Sequence, residues 1–110
     1  MIVADHKPAT AAHVPKEANV VVVMFVMEGC GACHEYAPTF LKVSREFTGK
    51  VPAYILDVNT PQGGQLADQY DVMATPTTLV LRRPMGALKA EGALDEASVR
   101  RLFTIAAAQR

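Results

Sequence analysis

The sequence predicts an α/β sandwich, a mixed β-sheet flanked by helices, in a single domain covering residues 1–110. Three observations predict it. Residues 20–27, between Asn19 and Glu28, form an apolar, β-branched run too short for a typical helix and without period-2 alternation, the pattern of a strand buried on both faces. After Glu28-Gly29 the apolar residues switch to a helical period. Further on, strand-like and helical runs alternate before two strand runs follow each other directly, an order that calls for a mixed sheet with helices packed on it.

Each element follows from its own residues. Residues 1–3 are a short apolar start, read as an edge strand, and residues 8–12 open a short helix that Pro15 ends. In the helix after Gly29, Ala37, Phe40, Leu41, Ser44 and Phe47 share one face, with Lys42, Arg45 and Glu46 mostly opposite. Pro38 removes a backbone donor inside it and should kink it, and Gly49 stops it. Residues 53–58 read as a second buried strand. Thr60-Pro61 is an N-cap followed by proline at the first helical position, leading a helix through Leu66 and Tyr70 that Gly63-Gly64 should weaken. Residues 77–81 and 87–90, joined by a turn at 82–86, read as a β-hairpin. Asp95 caps a last helix, with Leu94 and Val99 as a hydrophobic staple and Val99, Leu102, Phe103 and Ala106 as its apolar face.

Composition narrows the function. Half of the 110 residues are hydrophobic, enough for a core without metals or several disulfides. Eleven basic residues balance eleven acidic ones, so a neutral surface gives no electrostatic reason for nucleic acid or an anionic membrane as the main partner. It also leaves little repulsion between copies, which suits a monomer or a weak dimer. The run 20–27 is far short of the roughly 20 residues of a membrane span. With Asp5, Lys7, Lys16 and Glu17 and no apolar block, residues 1–19 do not read as a secretory signal, and the expectation is a cytoplasmic protein.

The two cysteines enclose Gly31-Ala32. A disulfide across so short a loop constrains the unfolded chain little, so the spacing points to chemistry rather than stapling. The strand, the Gly29 break and the helix place Cys30 at a helix N-terminus, where unpaired amides and the helix dipole favour thiolate over thiol. A free cysteine titrates near ~8.5, and such placement lowers that value. Gly31 and Ala32 let backbone amides approach the sulfur. Cys30 is the candidate nucleophile and Cys33, one turn inside the helix, the resolving thiol. Two other readings stand beside this one. A closed zinc site needs four ligands, and only His34, His13 and His6 are available to complete it; an inert buried pair is the other. Neither a metal nor a cofactor beyond the Cys30–Cys33 disulfide itself is expected.

Residues 21–25 (Val21-Val22-Val23-Met24-Phe25) before Gly29-Cys30-Gly31-Ala32-Cys33, then Ala37-Pro38, Thr75-Pro76-Thr77 and Gly92-Ala93-Leu94, make the chain resemble the thioredoxins over almost its whole length. The CxxC is a moderate signal alone and a strong one with a threonine-proline before a downstream strand. The resemblance implies a thioredoxin-like three-layer sandwich and a protein-disulfide oxidoreductase. It implies protein disulfide substrates, an upstream reductase as electron donor, and a role in electron transport and redox homeostasis. It further implies a cis peptide between Thr75 and Pro76, which proline makes accessible, with the Thr75 backbone offered to a substrate peptide. Gly29, Gly31, Ala32, Ala74, Thr75, Pro76, Gly92 and Ala93 would border the substrate groove. The alternative is that Pro76 merely begins a strand at a sheet edge.

Four departures bear on mechanism. Gly29 stands where thioredoxins usually carry tryptophan, and Ala32 where they carry proline. Met24 and Ile55 occupy the positions of the family's buried aspartate and its accompanying lysine. Without that carboxylate the setting of Cys33 is apolar, which disfavours its charged form. His34, pointing about 100° away from Cys33 on the helix, and Asp57, sharing strand parity with Ile55, are the two substitutes that the sequence offers. Three functions follow: a cytosolic dithiol reductant, an oxidant or isomerase of the same fold suggested by Thr75, Ala32 and Met24, and a binding module whose cysteines turn over slowly or not at all.

Overall fold

The run at 20–27 becomes β1 (Val20–Val26) in the computed structural model, which describes residues 19–82 and 86–108. The chain continues through α1 (Gly31–Glu46), β2 (Ala53–Asp57), α2 (Pro61–Gln69), β3 (Thr77–Arg82), β4 (Ala87–Glu91) and α3 (Glu96–Ala108). The expected strand at 1–3, the short helix at 8–12, and the middle of the 82–86 turn lie outside the described residues.

The four strands form one mixed sheet in the order β2-β1-β3-β4. β1 runs parallel to β2, with Met24 opposite Ile55, and antiparallel to β3, with Met24 opposite Thr78. β3 and β4 are the expected hairpin, pairing Thr77 with Glu91 and Leu81 with Ala87. β1 is buried along its whole length, and its alternate residues serve two cores. Val20, Val22, Met24 and Val26 face α1 and α3 together with Tyr36, Phe40, Val99 and Phe103. Val21, Val23 and Phe25 face α2 through Leu66 and Ala67. Each such side chain taken fully out of water is worth about 1.5–3 kcal/mol, so β1 ties all three layers together.

The helix ends follow local chemistry. α1 continues past Pro38 to Glu46, and the Phe47 N–H closes on the Ser44 carbonyl. Gly49, with φ 84°, lies in the turn beyond it. The Asp95 carboxylate accepts the Ser98 N–H at 2.8 Å at the start of α3, and Leu94 packs against the core cluster to which Val99 belongs. At the start of α2, Thr60 Oγ1 accepts the Gly63 N–H at 3.1 Å and donates to the Asp57 carbonyl at 2.7 Å. Gly63, expected only to weaken this helix, has a packing reason. A Cβ there would run into the Asp57 carbonyl oxygen and lie 2.7 Å from Thr60 Oγ1.

Candidate active site

Parallel and antiparallel pairing bring three chain segments to one end of the sheet. β1 and β4 finish there and β3 begins there. Gly29 to Cys33 follow β1, Ala74 to Pro76 precede β3, and Gly92-Ala93 follow β4. The predicted site residues, distant in sequence, therefore converge. One link between segments is explicit, the Gly92 N–H donating to the Pro76 carbonyl at 2.8 Å; within the turn before β3 the Thr77 hydroxyl donates to the Ala74 carbonyl at 2.6 Å.

Cys30 and Cys33 are joined in a disulfide, with Cα atoms 5.2 Å apart. Cys30 is the N-cap of α1 in extended conformation, made possible by Gly29, whose φ of 81° turns the chain out of the strand. Its Sγ accepts the Cys33 N–H at 3.1 Å, as a serine or aspartate oxygen does at an ordinary N-cap. Cys30 is half-buried, between exposed Gly29 and exposed Gly31-Ala32, whereas Cys33 is only 5% exposed. One sulfur is open to solvent at a helix N-terminus; the other is enclosed behind it.

The Thr75–Pro76 peptide is cis. Pro76 is buried and leads into β3, an interior strand between β1 and β4, so the alternative of a strand at a sheet edge does not hold. Thr75 is half-buried, and among the described residues no hydrogen bond uses its N–H or C=O. Beside Ala74 and Thr75 opens a groove of about 340 Å³ lined by Met27, Val58, Ala67 and Met73. Met73 is 78% exposed and Met27 43%. Sequence reasoning missed these four. Met27 reads as the last residue of a buried strand, and its exposure arises only because β1 stops at Val26.

Beneath Cys33 the surroundings are apolar, as the departures from the family pattern require. Met24 and Ile55 are 0% and 1% exposed and pack in one cluster with Cys33. Neither sequence-derived substitute for the missing carboxylate is placed there. His34 is exposed on α1, and Asp57 ends β2 with its carboxylate accepting the Asn59 N–H at 2.8 Å. The polar group on that face is one the sequence reading did not find. The Tyr36 hydroxyl and Thr78 Oγ1 form a buried hydrogen bond of 2.7 Å. Burial pushes the Tyr36 phenol up to about 12, partly offset by that bond. Among the described residues, no group of three His, Cys, Asp or Glu side chains is placed to hold a metal ion. His6 and His13 lie outside those residues. No described helix is long and apolar enough to cross a membrane.

A family model described as Thioredoxin matches residues 2–104. The chain is 35% identical over 79 residues to an H-type thioredoxin of Oryza sativa subsp. indica, covering 71% of this chain and 62% of that protein. It is 31% identical over 62 residues to Thioredoxin 1 of a Nostoc strain, covering 56% of each. The matched stretch thus spans less than two thirds of either relative. Among solved structures, the germline-specific thioredoxin Deadhead of Drosophila melanogaster superposes with a TM-score of 0.69 at 26% identity, covering 92% of this chain and 90% of that one. The Malassezia sympodialis thioredoxin also gives 0.69, at 27% identity, covering 81% of this chain and 76% of the other.

Proposed function

Because the chain belongs to the thioredoxin family, we propose that it is a thiol–disulfide oxidoreductase that reduces protein disulfides through Cys30 and Cys33. The observation that carries this is the position of Cys30 Sγ, bonded to Cys33 while accepting the Cys33 N–H at the N-cap of α1. In the dithiol form that amide and the helix dipole stabilise a Cys30 thiolate. The thiolate attacks a substrate disulfide, forms a mixed disulfide and expels the first substrate thiolate. Cys33 then attacks Cys30 Sγ, closing the Cys30–Cys33 disulfide, and the second substrate sulfur leaves as a thiol. No cofactor takes part beyond this disulfide, and an upstream reductase returns the two electrons.

Substrate docks across the end of the sheet. The unused Thr75 N–H and C=O offer a strand-like pairing to an extended peptide. Gly29, Gly31, Ala32, Ala74, Pro76, Gly92 and Ala93 leave that approach open, and the Met27–Met73 groove receives an apolar side chain. The only two cysteines form the redox pair, which fits work in a reducing compartment such as the cytoplasm. The protein works as a monomer or a weak dimer on this reading. Insulin reduction with dithiothreitol as electron source tests it. Turbidity should rise faster with the protein than without it, and Cys30→Ser should abolish the difference. Equal turbidity with and without the unsubstituted protein overturns the proposal.

A further inference from the structure

Residues 70–76, between α2 and β3, carry Met73, Ala74 and Thr75 to the groove beside the redox pair, and β4 holds this segment at both ends. At its far end the Gly92 N–H donates to the Pro76 carbonyl at 2.8 Å. At its near end Lys89 Nζ donates to the Asp71 carbonyl at 2.7 Å and to the Tyr70 carbonyl at 3.3 Å. Lys89 can reach these carbonyls because it pairs with Leu79 in the β3–β4 ladder, and Leu79 belongs to the cluster on the α2 face of the sheet.

The near end has a physical need for that hold. Tyr70 is the C-cap of α2, and this helix has no basic residue in its last turn. A helix C-terminus leaves carbonyls without intrahelical partners and gathers partial negative charge, and a lysine answers both. Here the lysine comes from the edge strand and not from the helix. Asp71, at φ 60°, takes the left-handed conformation in which helices often end, although it is not glycine. Its carbonyl is the one that Lys89 meets at the shorter distance. The Val72 N–H then closes back on the Ala67 carbonyl at 2.8 Å. Met73, Ala74 and Thr75 span the interval from there to Pro76, with the Thr77 hydroxyl on the Ala74 carbonyl between.

We propose that Lys89 is a positioning residue for substrate docking: by fastening the end of α2 to β4, it fixes where Met73 and the Thr75 backbone meet an incoming peptide. The inference rests on the reductase reading above and adds to it a residue outside the groove that sets how well the groove is formed. Lys89 acts through the segment and not on the sulfurs. Cys30 takes its place from α1, whose N-cap it forms, so loss of Lys89 leaves the sulfur chemistry as it is. A loosened segment must be ordered at the moment of binding, and that cost falls on KM. Lys89 is exposed, so substituting it leaves the core untouched.

Two variants carry the test: Lys89→Met, which keeps an unbranched stem and removes the donor, and Lys89→Arg, which restores a donor. In Lys89→Met, amide exchange over residues 71–75 should quicken while the amides of α1 and β1 keep the parent rates. KM for insulin should rise about three- to tenfold with kcat within about twofold of the parent, and Lys89→Arg should return KM toward the parent value. The pH profile of Cys30 alkylation should stay in place. Should Lys89→Met fail to fold, Lys89→Gln takes its place with the same expectations. A parent-like KM in the folded variant overturns the inference. So does a raised KM accompanied by a shifted Cys30 profile, which marks an effect on the sulfur and not on docking. Absent insulin turnover in the unsubstituted protein strikes the reductase reading itself, whereas turnover with a parent-like KM in Lys89→Met strikes only this inference.

Discussion

The backbone of Gly63 passes so close to the Asp57 carbonyl that a methyl group has no room. Gly63→Ala must therefore displace the start of α2 or the end of β2, and overpacking of this kind costs about 1–3 kcal/mol. Urea unfolding should show a lower midpoint at unchanged slope; a midpoint within error of the parent would contradict the close approach. At this scale the sequence is unevenly legible. Cys30 and Cys33 were legible because their spacing is local and sulfur chemistry is specific to it. In the sequence Gly63 looks like a local weakness, because its crowding comes from Asp57, in a different element. Likewise Tyr36 is three residues from Cys33, but its partner Thr78 is brought to it only by the register of β3 on β1. His34 and Asp57 have suitable chemistry, but His34 is exposed and the Asp57 carboxylate accepts the Asn59 N–H.

α3 is held to α1 by two kinds of contact of unequal weight. Phe103 is fully buried and meets Phe40 at 5.6 Å and Phe47 at 5.3 Å between ring centroids. On the surface, Arg100 bridges Glu46 and Glu96 at 2.6 and 2.7 Å, and Lys42 reaches Glu96 at 3.0 Å. Removing a buried phenylalanine costs about 3–5 kcal/mol, whereas exposed ion pairs are screened and contribute little. Phe103→Ala should lower the thermal midpoint severely, and Arg100→Ala only slightly. The small Arg100 effect has a definite pH dependence. Its guanidinium holds the Glu46 and Glu96 carboxyls below the usual carboxylate range, chiefly by hydrogen bonding. A lowered folded pKa contributes stability that is full above the ordinary value, about 4.3 for glutamate, and is lost as the pH falls through the folded value. The parent and Arg100→Ala midpoints should therefore differ at neutral pH in low salt and converge in acid or high salt. A gap persisting into strong acid would contradict the assignment. The element pattern itself was largely readable: the apolar face of α3, its Asp95 cap and the β3–β4 hairpin stand where periodicity and turn chemistry put them.

In the whole molecule, the arrangement of strands turns separate local signals into one site. β1 delivers the cysteines, β3 the cis-proline turn and β4 the Gly92 turn to the same end of the sheet, and the Gly92–Pro76 hydrogen bond joins two of them. Period and spacing announce each segment but not their meeting. That expectation came from resemblance, and strand order β2-β1-β3-β4 supplies the physical reason. The Met27–Met73 groove was illegible for a related cause, since it exists only between elements. The account depends most on Cys30 being poised as an anion at the start of α1, which the rate of its alkylation in the fully reduced protein, followed against pH, tests directly. Half-maximal reactivity is predicted clearly below the ~8.5 of an ordinary cysteine, with rapid modification at neutral pH. A profile centred at or above that value, with a rate no faster than that of an exposed peptide thiol, would contradict it.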